Sequence, residues 1–429
     1  MNNPPLVALL PVGEFDEVSK KSSFEAILHS VSRLGAEVLP LDPVTDEAAA
    51  GRVIHALVEK HPHLLLIVPL RGLSAPVIAA AAPSSPVPCL ICPIQGQYSL
   101  PSSALAIGAL REQGHLVELL YAPPDQPVFQ ERLGVVLRAA QAFSKLRSGR
   151  IGVIGKLFPN LISCAYDPAM LQSRLGVTLF TISFDQVRAA MQVAAEQGGE
   201  KDRLQEELAS VYHVMPEDRK ALATGLQLHL ALKSIAGEQN LDSFAVECWS
   251  GFPAALGLNP CLGFIEDAYT LACEGDVLLC IGLLLLRQLT GRSSYAGDLY
   301  DLDLEGNLTL VHCGAPVSLA VGPSQVILTP SLVARQRGFE TLTCRPALEA
   351  GPVTLLRLYG READHLHVAF GELQGSDQSP NLTVRVKLAG DRWGFLDHCL
   401  GNHYILAPGD LRRELVQLCK WLKVTLIET

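Results

Sequence analysis

The sequence predicts an α/β fold: two doubly wound α/β domains followed by a mainly antiparallel β C-terminal domain. Three observations carry that prediction. Up to residue 297, short unbroken apolar runs alternate with helix-length segments, which is how parallel strands covered on both faces read. From residue 298 the apolar runs follow one another with only turns between them, as in antiparallel sheets. Between the two regimes, Val277 to Leu286 carries no charge, so its helix must be buried on every side.

The first domain, 1–148, opens on the strand LVALLP and the helix FEAILHSVSRLG, which stops at a glycine. AEVLPL, LLLIVPL, VPCLICPI and HLVELLYA are its further strands. Helices in EAAAGRVIHALVEKH, near Ala75–Ala81 and in SALAIGALREQG separate them, and the helix QERLGVVLRAAQAFSKLRSG leads out. The second domain, 149–297, has strands in RIGVIG, VTLFTISF and DSFAVECW. Its helices cover Phe184–Ala194, Arg203–Val211 and Pro216–Ile235, and CLGFIEDAYTLACEGD connects into the apolar helix. The third, 298–429, strings together GNLTLVHCG, SQVILTP, ETLTCRP, VTLLRLY, LHVAFGEL and NLTVRVKL, then closes on the helix DLRRELVQLCKWLK and the strand VTLIE.

Composition removes several classes of function. The 34 basic and 44 acidic residues give a net charge of −10 with no basic run, which argues against a nucleic-acid partner. No apolar run reaches the length of a bilayer span, so no membrane partner is expected. The amino-terminal MNNPPLVALLPVGEFDE lacks the basic opening of a secretory signal. The 11 cysteines are odd in number and scattered through apolar stretches, as buried reduced thiols of a cytoplasmic protein would be. Cys89 and Cys92 form a CxxC inside a strand with no second pair, which suits neither zinc nor a redox helix. No GxGxxG follows the first strand, so a nicotinamide cofactor is not indicated.

The chemistry concentrates in three places. Glu266, Asp267, Glu274 and Asp276 put four carboxylates within eleven residues at the mouth of the buried helix. Asp276 suits an N-cap, but capping does not account for the others, and a bound cation would offset their mutual repulsion. His312 stands before a Gly turn in VHCGAP, and Asn402 and His403 stand in GNHY, a loop-like stretch that also follows His398. Carboxylates with one or two imidazoles suit Mn²⁺ or Mg²⁺, with Fe²⁺ and Co²⁺ open. In the first domain, Gln95, Gln97 and Ser99 are polar loop residues able to meet a small polar ligand.

CEGDV with its apolar helix ending in LTG, the VHCG turn, then GNH, PGD and a final helix, resembles the L-fucose isomerase and L-arabinose isomerase superfamily, in its shorter fucose-isomerase-related members. RIGVIG and YDPAMLQSRLGV resemble that family's second domain. The resemblance implies a Mn²⁺-dependent aldose–ketose isomerase, assembled as a trimer or hexamer. It implies that Glu266 and Asp276 are metal ligands and acid/base groups and that His403 is the C-terminal metal ligand. His312 would be a ligand or a substrate contact, and Glu274, Asp267 and Asn402 contacts to substrate, with Asp267 and Glu274 competing with Glu266 for the place of first ligand. His312 matches a histidine of the arabinose branch. The reaction moves a proton between adjacent carbons through an enediolate, whose charge a divalent cation stabilises. A metal-dependent sugar lyase or aldolase needs the same stabilisation, and a non-catalytic sugar-binding relative needs only the pocket.

Overall fold

The computed structural model of the chain describes residues 4–82, 87–196, 198–265, 269–331, 334, 336, 338–339 and 341–429. The chain divides into two compact units, Met1–Lys145 with Arg413–Trp421, and Leu146–Arg412 with Leu422–Thr429.

The first unit is built on five parallel strands: β1 (Leu6–Val12), β2 (Glu37–Pro40), β3 (Leu64–Pro69), β4 (Cys89–Ile91) and β5 (Val117–Leu119). Their order, β2-β1-β3-β4-β5, is that of a doubly wound sheet. LLLIVP is buried along its whole length, which is why it shows no alternation. Cys89 and Cys92 are buried, and burial pushes both thiols up to about 12, so they are packing groups. Although it lies near the carboxyl end of the sequence, the segment Arg413–Trp421 belongs to this unit. There Arg138 Nε donates to Glu414 at 3.0 Å and Gln417 Nε2 to Glu118 at 2.8 Å.

The second unit holds the remaining strands. Four are parallel, β6 (Arg150–Ile154), β7 (Thr178–Ile182), β9 (Ser243–Val246) and β10 (Thr270–Ala272), in the order β10-β9-β6-β7. A small sheet joins β8 (His213–Val214), β13 (Val326–Thr329) and β14 (Thr343–Pro346). The antiparallel part contains β11 (Tyr295–Leu302), β12 (Asn307–His312), β15 (Gly351–Tyr359), β16 (His365–Asp377), β17 (Leu382–Leu388) and β18 (His403–Pro408). Their order β15-β18-β11-β12-β17-β16, with β15 also paired to β16, closes a barrel, and β19 (Thr425–Glu428) adds to β16 in parallel. Tyr295, Leu308, Leu310, Leu355, Val384, Tyr404 and Leu406 are among its buried core.

The uncharged run Val277–Leu286 forms most of the helix Val277–Thr290, which carries Arg287 in its last turn. It lies between β9 and β10 of the parallel sheet and β15 and β18 of the barrel. That position explains its sequence, because neither side faces water. Each fully buried aliphatic side chain stabilises by about 1.5–3 kcal/mol, so the helix joins the two sheets firmly. Asp276 begins it by accepting from Leu279 N at 2.9 Å, and Gly291, left-handed at φ 68°, ends it.

Candidate functional site

The site begins where β10 ends. Residues Cys273–Asp276 turn from the strand into the buried helix, and both Glu274 (φ 61°) and Gly275 (φ 69°) adopt left-handed backbone. A side chain rarely sits there, and a non-glycine residue pays strain for it. Four contacts hold the turn. Phe158 N donates to Glu274 O at 2.8 Å, Gly275 N to Val246 O at 2.8 Å, Glu274 N to the Cys248 sulfur at 3.3 Å, and Asp276 N to Cys273 O at 3.2 Å. At Gly275 a Cβ would fall 2.3 Å from Lys156 O, so no other residue fits.

The barrel supplies the other half. In the β11–β18 ladder Asp298 lies directly opposite His403, and in the β11–β12 ladder Asp298 faces Val311, one residue before His312. Asp298, His312 and His403 each bring a ligand atom within 4.8 Å of the others. His403 Nε2 lies 3.5 Å from Asp298 Oδ1 and 3.6 Å from Glu274 Oε2. Two carboxylates, one on a barrel strand and one on the turn after β10, therefore approach one imidazole nitrogen, with a second imidazole beside them. Asn402 Nδ2 donates to Asp298 Oδ1 at 2.7 Å and orients it.

Two buried atoms in this cluster lack a hydrogen-bond partner, His312 Nδ1 and His403 Nε2. An orphaned buried donor or acceptor is rare and costs free energy. Burial raises the Glu274 carboxyl, aided by the charges of Asp298 and Asp276 and opposed by that of His403. Burial also lowers His312, to about 4, so it is neutral at physiological pH. Burial would lower His403 as well, but the Asp276 hydrogen bond and the charges of Asp276, Asp298 and Glu274 outweigh it and raise it. The carboxylates thus concentrate negative potential at His403 Nε2, where a cation would be stabilised.

Asp276 stands behind the cluster. Its Oδ1 accepts from Leu279 N, and its Oδ2 accepts from Arg357 Nη1 and His403 Nδ1, each at 2.9 Å. Burial would raise this fully buried carboxyl, but Arg357 and His403 outweigh burial and hold it well below the usual carboxylate range. Both Asp276 oxygens thus accept from protein donors, and Oδ2 meets His403 Nδ1.

Glu274, expected as a substrate contact or as a competitor for the place of first ligand, brings Oε2 to 3.6 Å from His403 Nε2. Asn402 meets Asp298. Glu266 and Asp267 lie outside the described residues. His398 takes no part, its Nδ1 pairing with Gly394 O at 2.9 Å. Ser99 is buried in the first unit and donates to Ile94 O, so its hydroxyl is not offered to a ligand. Sequence reasoning missed Asp298 and Arg357. Asp298 sits in YAGDLYDL, where a glycine and two aspartates hide a strand, and a boundary drawn between 297 and 298 cuts through it. The stretch around His403 reads as a loop, yet His403 begins β18, and HYILAP is the apolar run that signals it.

No protein-family model matches the chain. It is 27% identical over 328 residues to a sulfoquinovose isomerase of Priestia aryabhattai, spanning 73% of this chain and 72% of that protein. It is 28% identical over 335 residues to a sulfoquinovose isomerase of Alkalicoccus urumqiensis, spanning 74% of this chain and 73% of that protein. A sulfoquinovose isomerase of Clostridium sp. (strain MSTE9) is 25% identical over 350 residues, spanning 77% of this chain and 75% of that protein. These similarities support a sugar isomerase.

Proposed function

We propose that the chain is a divalent-metal-dependent aldose–ketose isomerase of the L-fucose and L-arabinose isomerase kind, with Mn²⁺ as its metal. The observation that carries this is the convergence of Asp298, His312 and His403, with Glu274 Oε2 3.6 Å from His403 Nε2 and two buried imidazole nitrogens left unpartnered. Two carboxylates and two imidazoles are the hard-to-borderline donor set that suits Mn²⁺ and also accepts Mg²⁺ or Co²⁺. The cation would supply electrostatic stabilisation of charge developing on the substrate's two oxygens. Metal binding also needs a neutral imidazole, so His403 would release its proton as the ion enters.

The remaining work falls to the protein. We assign to Glu274, raised by burial and 17% exposed, the movement of the proton between the two carbons of an enediolate-type reaction. Asp276, with Oδ2 on His403 Nδ1, holds that imidazole in place. Glu266 stays in the proposal as the second acid/base carboxyl. The names of the relatives favour an isomerase over a lyase, an aldolase or a non-catalytic binder, and they give sulfoquinovose, a sulfonated sugar, as the first substrate to try. A trimer or hexamer in the cytoplasm completes the reading. Among the described residues, no helix is long and apolar enough to cross a membrane.

The test is turnover of sulfoquinovose and a panel of aldoses and ketoses by metal-stripped protein, with and without added Mn²⁺, alongside metal analysis of the same samples. Ketose formation that requires the metal supports the proposal. Cleavage products would point to the lyase, and protein that neither binds Mn²⁺ nor turns over any sugar would refute it.

A further inference from the structure

We infer that Arg357 is a positioning residue for the metal centre: it clamps Asp276 so that Asp276 in turn fixes the imidazole of His403. The inference rests on reading Glu274, Asp298, His312 and His403 as a divalent-cation site. It adds a residue that neither contacts that point nor belongs to the sequence motifs around it.

Arg357 lies on β15 and is 1% exposed. Its Nη1 donates to Asp276 Oδ2 at 2.9 Å and its Nη2 to the Cys164 sulfur at 2.9 Å. Burial pushes the Cys164 thiol up to about 11, so the sulfur is a neutral acceptor and Asp276 is the anion that Arg357 answers. A buried guanidinium is costly to desolvate, and an apolar side chain of similar volume would fill the same space without that cost. Packing alone therefore gives no reason for an arginine here. Geometry does.

The Asp276 carboxylate is held at three points, by Leu279 N on Oδ1 and by Arg357 Nη1 and His403 Nδ1 on Oδ2. A carboxylate pinned by the helix on one side and by a planar guanidinium on another cannot rotate. Its Oδ2 therefore receives the His403 Nδ1–H in one direction only. That bond selects the tautomer in which Nε2 carries the lone pair, and it aims Nε2 at Glu274 and Asp298. Groups that orient a ligating histidine in this way are worth 10–100-fold in metal affinity.

The backbone beside His403 is shaped around the same clamp. A Cβ at Gly401 would lie 3.0 Å from Arg357 Nε. The three consecutive residues of Gly401-Asn402-His403 thus have separate tasks. Gly401 leaves room for the guanidinium, Asn402 orients Asp298, and His403 is the ligand itself.

The experiment compares wild type, Arg357→Met and Arg357→Lys. Each is stripped of metal and titrated with Mn²⁺, with free ion followed by electron paramagnetic resonance and folding by circular dichroism and thermal melting. Arg357→Met removes the donor fork while keeping much of the volume, and it is expected to weaken Mn²⁺ about 10–100-fold. Arg357→Lys keeps the charge but not the planar fork, and it should fall between wild type and Arg357→Met. In ¹⁵N-histidine spectra of Mg²⁺-loaded protein, wild type should show the His403 Nδ1–H and Arg357→Met should show it exchange-broadened. Mn²⁺ affinity within twofold of wild type in folded Arg357→Met overturns the inference. If Arg357→Met does not fold, wild-type affinity in Arg357→Lys overturns it equally. Wild type that binds no Mn²⁺ overturns the cation reading itself, and that result is obtained without either variant.

Discussion

The two halves of the site are built by opposite means. Asp298, His312 and His403 lie on regular strands, and the antiparallel register alone sets Asp298 against His403. Glu274 lies on a turn in which two consecutive residues are left-handed, and it reaches the cluster only because Phe158, Val246 and Cys248 hold that turn. The strand half is a template whose geometry comes with the sheet. The turn half is a strained element whose geometry is imposed by its neighbours. A precise site can therefore combine a rigid frame with one stressed residue, provided the surrounding structure fixes the stress.

The largest expected effect comes from breaking the frame. His403→Gln removes the one imidazole approached by carboxylates from both halves and leaves Asp276 without its His403 hydrogen bond. If His403 is the metal ligand proposed above, its loss forfeits several kcal/mol of charge stabilisation, so turnover should fall by at least about a thousandfold and bound Mn²⁺ should drop below detection. Elemental analysis and a sugar-conversion assay on the same preparation check it. Retained metal with retained turnover would dissolve the frame as described.

The turn half should respond differently, and that sharpens the comparison. Glu274→Gly deletes the carboxylate and at the same time relieves a left-handed side chain that costs about 1–2 kcal/mol. Turnover is expected to fall about a hundredfold or more while the melting temperature stays level or rises. Glu274→Gln should lose similar activity without the gain in stability. If Glu274→Gly melts well below wild type, the turn is not a strained element. The opposite substitution next door loads the strain instead. Gly275→Ala drives a methyl into the Lys156 carbonyl and should destabilise by about 2–3 kcal/mol, read from denaturant midpoints.

The same contrast explains what could be read from the sequence. The apolar helix is legible because ten uncharged residues leave it no solvent face, and its Asp cap because that chemistry is local. The parallel strands are legible because burial on both faces removes alternation. The partners of the site are not, because pairing is a property of the folded sheet: 127 positions separate Asp276 from His403. A residue such as Asp298 has no local mark, since its neighbours Gly297, Tyr300 and Asp301 read as a link between domains. Glu274 was visible as an acid but not as a left-handed residue, because nothing in CEGD says which of its residues must turn. One signal was open to reading. In VTLLRLY the residues flanking Arg357 are apolar without alternation, so the strand is buried on both faces, and a buried arginine requires an acid.

The smallest predicted effect tests whether the strand half is as self-sufficient as its register suggests. Asp298 is the most exposed member of the cluster, its side chain 42% accessible, and the sheet fixes its backbone but not its carboxylate. Asn402 does that by donating Nδ2 to Asp298 Oδ1, while its own backbone carbonyl accepts from Leu299 N at 2.7 Å. Asn402→Ala leaves the ladder intact and removes only the side-chain bond. A hydrogen bond to a charged group is worth about 1.5–3 kcal/mol, and partial exposure lets water recover much of it. Mn²⁺ affinity should therefore fall about tenfold, with the melting temperature little changed. A loss as large as that of His403→Gln would mean that the frame, too, depends on side-chain support, and that register alone does not build it. No loss at all would mean that the exposed carboxylate finds the cation unaided, and that the template is complete in the backbone.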